Sequence, residues 1–199
     1  TSLSDGVTGV AIGVQHACAI VDGGVQCWGD NQYGQLGNNS TTRSDVPVQV
    51  EGLTSGVTAI AAGVSHTCAV VNGGVKCWGD GSSGVLGKDN YGTRTVPVQV
   101  LAKGVTSITT NGSSNTCAIV EGAAQCWGGK DCLSLDRTPD NALGSCVPRQ
   151  VEGLTSGVTA ISVANWHICA VVNGGVKCWG DNDFGELGNN STIDSDVPV

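Results

Sequence analysis

His16-Ala-Cys-Ala-Ile-Val-Asp-Gly-Gly-Val-Gln-Cys-Trp-Gly29 is written four times in this chain of 199 residues. It returns as His66 to Gly79, as Asn115 to Gly128 and as His167 to Gly180. The leading cysteines, Cys18, Cys68, Cys117 and Cys169, stand 50, 49 and 52 residues apart. A period of that size marks a repeat architecture, in which each small unit stacks on its neighbours because it cannot bury a core alone. The repeats run approximately over 1–50, 51–100, 101–151 and 152–199, within a single domain spanning 1–199.

The second copy shows what one repeat builds. Val57 to Ala62, His66 to Val71, Val75 to Trp78 and Val96 to Val100 are short apolar runs rich in β-branched residues. Gly, Asn, Asp and Ser fill the gaps, as turns between strands require. No segment carries a 3.6-residue apolar period behind an N-cap, so almost no helix is expected. Pro97 lacks a backbone donor, which places its strand at an edge or the proline at the strand's start.

The second and third runs meet at Val71-Asn-Gly-Gly74, and Asn-Gly is the strongest short hairpin signal. With Asn72 and Gly73 at the turn, Cys68 faces Cys77 at a non-hydrogen-bonded position, where side chains approach closely. A cross-strand disulfide fits there. The same count pairs Cys18 with Cys27, Cys117 with Cys126 and Cys169 with Cys178. Two further cysteines belong to the third repeat, Cys132 in a lengthened loop and Cys146 where the first repeat has Asp45. They predict a fifth bridge. Cysteine pairs with eight residues between them do not read as zinc ligands. Ten cysteines in plausible pairs predict an oxidising compartment, extracellular or at the cell surface.

Composition limits the function further. The formal net charge is −8, with 13% charged residues, 31 glycines and no methionine. An acidic chain with scattered basic residues excludes a phosphate-tracking nucleic-acid surface. No run of about 18 apolar residues provides a membrane span. With neither an initiator methionine nor a signal peptide, the chain reads as a processed product or a piece of something longer.

Gly63-Val-Ser-His66-Thr-Cys-Ala-Val, then Cys77-Trp-Gly-Asp-Gly-Ser-Ser-Gly-Val-Leu-Gly87, then Val96-Pro-Val98 resembles the regulator of chromosome condensation repeat. The resemblance covers the whole chain, with the third repeat degenerate. It implies an all-β fold, a β-propeller of four-stranded antiparallel blades, with the four repeats forming part or whole of a ring. Family members are usually seven-bladed. The cysteine-bearing hairpin departs from the nuclear member and is similar to secreted and cell-surface bacterial versions. The nuclear member's nucleotide exchange on chromatin does not carry over to an acidic, disulfide-rich chain. Four assemblies stay open: a segment of a longer propeller, a half-ring that dimerises into eight blades, a closed four-blade ring, or a stack growing into a filament.

Comparing the repeats separates scaffold from variation. The hairpin turns and the linkers Glu51-Gly-Leu-Thr-Ser-Gly56 and Glu152-Gly-Leu-Thr-Ser-Gly157 are monotonous. The opposite end of each blade varies, and variable loops on a constant scaffold are the usual place for recognition. That end carries Tyr33, Trp166, Asp181, Asp183 and Phe184 as the candidate binding face, with the aromatics as anchors. Packing of Tyr33 and Phe184 beneath their own loops is the alternative for those two. The rebuilt loop between Cys132 and Cys146 lies on the same end.

Other chemistry reads as structure. His16, His66 and His167 hold one repeat position, where the third copy has Asn115, and read as structural residues bonding neighbouring loop backbone. Trp28, Trp78, Trp127 and Trp179 read as wedges between blades. Asp181-Asn-Asp-Phe-Gly-Glu186 reads as a solvated acidic turn, with a weak calcium site as its alternative. No nucleophile, base and orienting group assemble, so no enzyme, cofactor or metal is expected. The leading expectation is a non-catalytic secreted or surface propeller module that binds a protein or glycan. A structural repeat self-associating into a dimer or filament comes second. A protein inhibitor of an extracellular enzyme comes third.

Overall fold

The computed structural model describes residues 3–88, 92–110, 115–129 and 145–199. Among the described residues, fifteen strands form four antiparallel sheets, one per repeat, each in simple meander order. The first sheet contains β1 (Val7–Ile12), β2 (His16–Val21), β3 (Gly24–Gly29) and β4 (Ser44–Gln49). The second contains β5 (Val57–Ala62), β6 (His66–Val71), β7 (Gly74–Gly79) and β8 (Arg94–Leu101). The third contains β9 (Val105–Thr110), β10 (Asn115–Val120), β11 (Ala123–Gly128) and β12 (Ser145–Gln150). The fourth contains β13 (Val158–Val163), β14 (His167–Val172) and β15 (Gly175–Gly180). The prolines fall where a missing donor is harmless, since Pro47, Pro97 and Pro148 lie on the edge strands β4, β8 and β12.

The fourth sheet has three full strands rather than the expected four. Its last segment still keeps the repeat's register. Ser195 bridges Gly180 as Ser44 pairs with Gly29, and Val199 bonds Cys178 as Val48 pairs with Cys27.

Turn chemistry sets the hairpins. Asp22-Gly23, Asn72-Gly73, Glu121-Gly122 and Asn173-Gly174 all take positive φ at both positions, as a type I′ turn demands. Each cysteine pair is then directly opposite, with Cα atoms 4.0–4.1 Å apart, and four disulfides form. The bridge expected between Cys132 and Cys146 reaches a residue outside the described ones.

The core lies between blades rather than within them. Alternation along β2 and β3 sends Cys18, Ile20, Val25 and Cys27 to one face, here called outgoing. That face packs against Val57, Ala69, Val71 and Trp78 on the incoming face of the second blade. The pattern repeats between blades two and three, around Val75 and Trp127, and between blades three and four, around Ala124 and Trp179. The first strands β1, β5, β9 and β13 lie side by side along the arc.

Hydrogen bonds lock each interface. Trp78 Nε1–H donates to the Gln35 carbonyl and Trp127 Nε1–H to the Val85 carbonyl, both at 2.8 Å. Trp179 Nε1 has no partner among the described residues, and Ala142, at the matching position, lies outside them. The linker adds main-chain bonds, with Val25 N–H donating to Leu53 O and Val57 N–H to Gly23 O.

The arc is open. Val10 on the incoming face of blade one and Val176 on the outgoing face of blade four are each 66% exposed, whereas Val25, equivalent to Val176, is 0% exposed. A closed four-blade ring would cover both, so that alternative is excluded. The chain is a partial propeller ring.

Candidate binding face

The first-to-second and third-to-fourth strand connections share one end of each blade and are tied together there. Asp30 N–H donates to Gln15 O, Asp80 N–H to Ser65 O and Asp181 N–H to Trp166 O. The last bond sets Trp166 directly beside the acidic turn. A second device shapes the long connection. Asn182, fully buried, donates from Nδ2 to the carbonyls of Ser191 and Ile193, while its Oδ1 accepts from Leu187 N–H. Asn31 makes the same bonds to Ser40, Thr42 and Leu36. Sequence reasoning missed both asparagines, although the recurrence of Asp-Asn at 30–31 and 181–182 was the available signal.

On this scaffold Phe184 is 92% exposed, Trp166 59% and Tyr33 37%. Phe184 therefore does not pack beneath its loop. Trp166, Asp181, Asp183 and Phe184 share the loop end of blade four. Tyr33 sits on blade one, three repeats away, and is not brought to them. The Cys132 loop lies outside the described residues.

The acidic turn is a cluster. Carboxylate oxygens of Asp181, Asp183 and Asp194 all lie within 4.8 Å of one another. Asp194 was not predicted, because it arrives from the far side of the loop, where its Oδ1 accepts from Asn182 N–H at 2.8 Å. Desolvation, then the nearby charges of Asp194, Asp183 and Glu186, raise the pKa of Asp181, with His167 opposing. Crowded carboxylates of this kind attract a cationic group, either an ion with oxygen affinity or a Lys or Arg side chain.

His16 and His66 are pins between blades. His16 Nε2 lies 2.9 Å from Thr67 Oγ1, and the Thr67 hydroxyl donates onward to Gln35 O. The single hydroxyl proton is thus used, so His16 Nε2–H is the donor. His66 Nε2–H donates to Thr110 Oγ1 in the same way, since that hydroxyl donates to Asn115 O. The expected loop-backbone partner is thus replaced by a threonine hydroxyl of the next repeat. Burial lowers both imidazole pKa values from 6.5 to about 4, keeping the rings neutral.

Two polar clefts open on the same loop end. One of about 220 Å³ is lined by Ser65, His66, Asp80, Ser82 and Ser83. Another of about 410 Å³ is lined by Gln15, Asp30, Gln32 and Arg43.

The profile described as "Regulator of chromosome condensation (RCC1) repeat" matches residues 22–70, and a second profile of that description matches 7–35 and 57–85. A 45-residue stretch is 49% identical to the human E3 ubiquitin-protein ligase HERC2, covering 22% of this chain and 1% of that protein. The structure is similar to human WBSCR16, with a TM-score of 0.79 and 27% identity, over 97% of this chain and 52% of the other. It is also similar to yeast RCC1 (Prp20) from a complex with Kap60, with a TM-score of 0.74 and 22% identity, over 96% and 48%. The chain thus spans about half the length of these solved propellers and a small fraction of HERC2. No helix among the described residues is long and apolar enough to cross a membrane. Residues 7–85 thus carry the regulator of chromosome condensation repeat, on a fold that the chain shares with these propellers.

Proposed function

We propose that this chain is a non-catalytic protein-binding module of an extracellular or cell-surface protein, and that the loop end of its fourth blade takes a basic segment of the partner. The observation that carries this reading is the pairing of two exposed aromatic rings, Trp166 and Phe184, with the carboxylates of Asp181, Asp183 and Asp194. An aromatic ring supplies apolar contact area at little entropic cost. Adjacent carboxylates favour Lys and Arg and steer their approach. The rigid hub of Asn182 holds the patch in place before binding, which lowers the ordering cost. Yeast RCC1 (Prp20), seen bound to Kap60, supports a fold of this kind as a platform for proteins. The four hairpin disulfides support the oxidising setting.

Selection from a displayed peptide library tests the reading. Enriched peptides should combine basic and apolar residues, lose binding to Trp166→Ala and Phe184→Ala, and bind more weakly as salt rises. Peptides bound equally well by both variants would move the site elsewhere. A glycan-array signal lost in both variants, with no peptide enriched, would replace the protein partner by a glycan.

A further inference from the structure

The loop end repeats one carboxylate, and its surroundings change from blade to blade. Asp30 and Asp80 hold the same position, each with its N–H tied to the carbonyl just before the histidine that opens the second strand. On blade one the chain supplies Asp30 with its own donors. Gln35 Nε2–H donates to Asp30 Oδ2 at 2.7 Å, and Arg43 lines the same cleft. On blade two both donors are gone. Val85 stands in place of Gln35, and Thr93 in place of Arg43, one residue before the partner of Gly79 as Arg43 is before the partner of Gly29. Blade two is flanked on both sides, by blades one and three, so its cleft is not made by an end of the arc.

The blade-two cleft, of about 220 Å³, is a place of acceptors. Asp80 Oδ1 accepts from Ser82 N–H at 2.9 Å and Oδ2 from the Ser82 hydroxyl at 3.0 Å. Those bonds fix the carboxylate and leave each oxygen a further lone pair. The His66 ring forms part of the wall. Its Nε2–H is committed to Thr110, so Nδ1 is left as an acceptor. Ser65 and Ser83 add hydroxyls, and Val64 and Val85 add an apolar side. Among the described residues no lysine or arginine lines the cleft.

One negative charge, several acceptors and an apolar side match one chemical group. An alkylammonium brings one positive charge, three N–H donors and a methylene stem that lies along apolar surface. A guanidinium instead presents a planar fork to both oxygens of a carboxylate, and here Ser82 already holds a bond on each. The volume is below the roughly 300–1,000 Å³ of sites for whole drug-sized ligands, so it suits the end of a side chain or a small amine.

We infer that the cleft formed by Asp80, His66, Ser65 and Ser83 is a seat for a primary alkylammonium group, carried by a lysine side chain or by a small free amine. The group supplies to Asp80 the donors and the charge that Gln35 and Arg43 supply to Asp30 within the chain. Its remaining N–H bonds go to His66 Nδ1 and a serine hydroxyl, and its methylenes lie along Val64 and Val85. The seat is on blade two and uses no residue of the blade-four patch, so it stands or falls apart from the reading of Trp166 and Phe184.

Site-resolved NMR on the 199-residue chain tests it, with n-butylammonium chloride titrated at constant ionic strength. Saturable shifts are expected at the Asp80, Ser82 and Ser83 amides and at the His66 ring. Asp80→Asn removes the charge, and Thr93→Arg installs the guanidinium that blade one carries at Arg43. Each should weaken binding about tenfold. Thr93 is exposed, so Thr93→Arg should fold even where Asp80→Asn does not, checked by an unchanged absence of free thiols before reduction. n-Butylguanidinium should bind more weakly than n-butylammonium. Nα-acetyl-lysine methylamide separates the two sources: binding as tight as n-butylammonium assigns the seat to a lysine of a partner protein, and weaker binding assigns it to a free amine. Absence of saturable shifts at Asp80 to Ser83, affinity unchanged in Thr93→Arg, or a guanidinium bound as tightly as the ammonium overturns the inference.

Discussion

The Trp78 indole of the second repeat donates its only hydrogen bond to the Gln35 main-chain carbonyl of the first, 2.8 Å away. Thr67 donates to the same oxygen at 3.0 Å, and His16 donates to Thr67. One carbonyl thus gathers a tryptophan, a threonine and, through it, a histidine across a blade boundary. Trp78→Ala should cost about 3–5 kcal/mol, from lost burial and the remaining cavity. Trp78→Phe should cost less, with about 1 kcal/mol from the lost bond and the rest from altered shape. Urea midpoints at constant slope would measure both. An alanine variant within 1 kcal/mol of wild type would contradict the wedge role.

Acid should destabilise the fold in a defined window. His16 and His66 titrate at about 4 when folded, against 6.5 in the unfolded chain. The unfolded state therefore takes up protons first as pH falls. The stabilisation is fully present above about pH 6.5 and is lost progressively as pH falls through about 4. Each histidine contributes roughly 3 kcal/mol across that window at most, and the two are coupled, since His16 also lowers His66. Thermal midpoints against pH would show the slope. His66→Asn, which installs the residue found at Asn115, should flatten it, and an unaltered slope would remove the histidines as its cause.

Asn182→Ala should loosen the blade-four loop. It removes two donated bonds to carbonyls and the acceptor for buried Leu187 N–H, a loss of about 2–3 kcal/mol. Hydrogen exchange should accelerate over residues 182–193 while the β14–β15 hairpin stays protected. Exchange unchanged at the Leu187 amide would show that the loop holds without its hub.

Replacing both Cys68 and Cys77 by alanine should lower stability by about 2–3 kcal/mol through the freed unfolded chain. The hairpin register should survive, because the Asn72-Gly73 turn sets it independently. Retained β-sheet circular dichroism with a lower denaturation midpoint would report both effects.

The hairpins were legible residue by residue, because a two-residue turn fixes every pair on either side of it. Cys68 opposite Cys77 follows from counting outward from Asn72-Gly73. The wedge role of the tryptophans was legible from their recurrence. Their acceptors were not, since Gln35 contributes a carbonyl and any residue could stand there. The histidine partners were missed for a related reason: Thr67 and Thr110 belong to the following repeat, in two different strands. At the candidate site, Asp181 and Asp183 stood out as neighbours in sequence. Asp194 did not, because only the loop folded around Asn182 carries it back to them.

Each of the four hairpin disulfides joins residues nine apart within a single hairpin, and none of these four ties one blade to another. The covalent reinforcement and the blade-to-blade cores therefore resist different loads. Under tension applied at its two termini, the chain would part along its three seams first, releasing blades one after another. The hairpin segments inside the bridges would stay short even then, since no force along the backbone can pay out a stretch of chain that a covalent bond has closed. Among the described residues the hairpins add no extensible length while bridged, and reduction should lengthen each released unit by its hairpin.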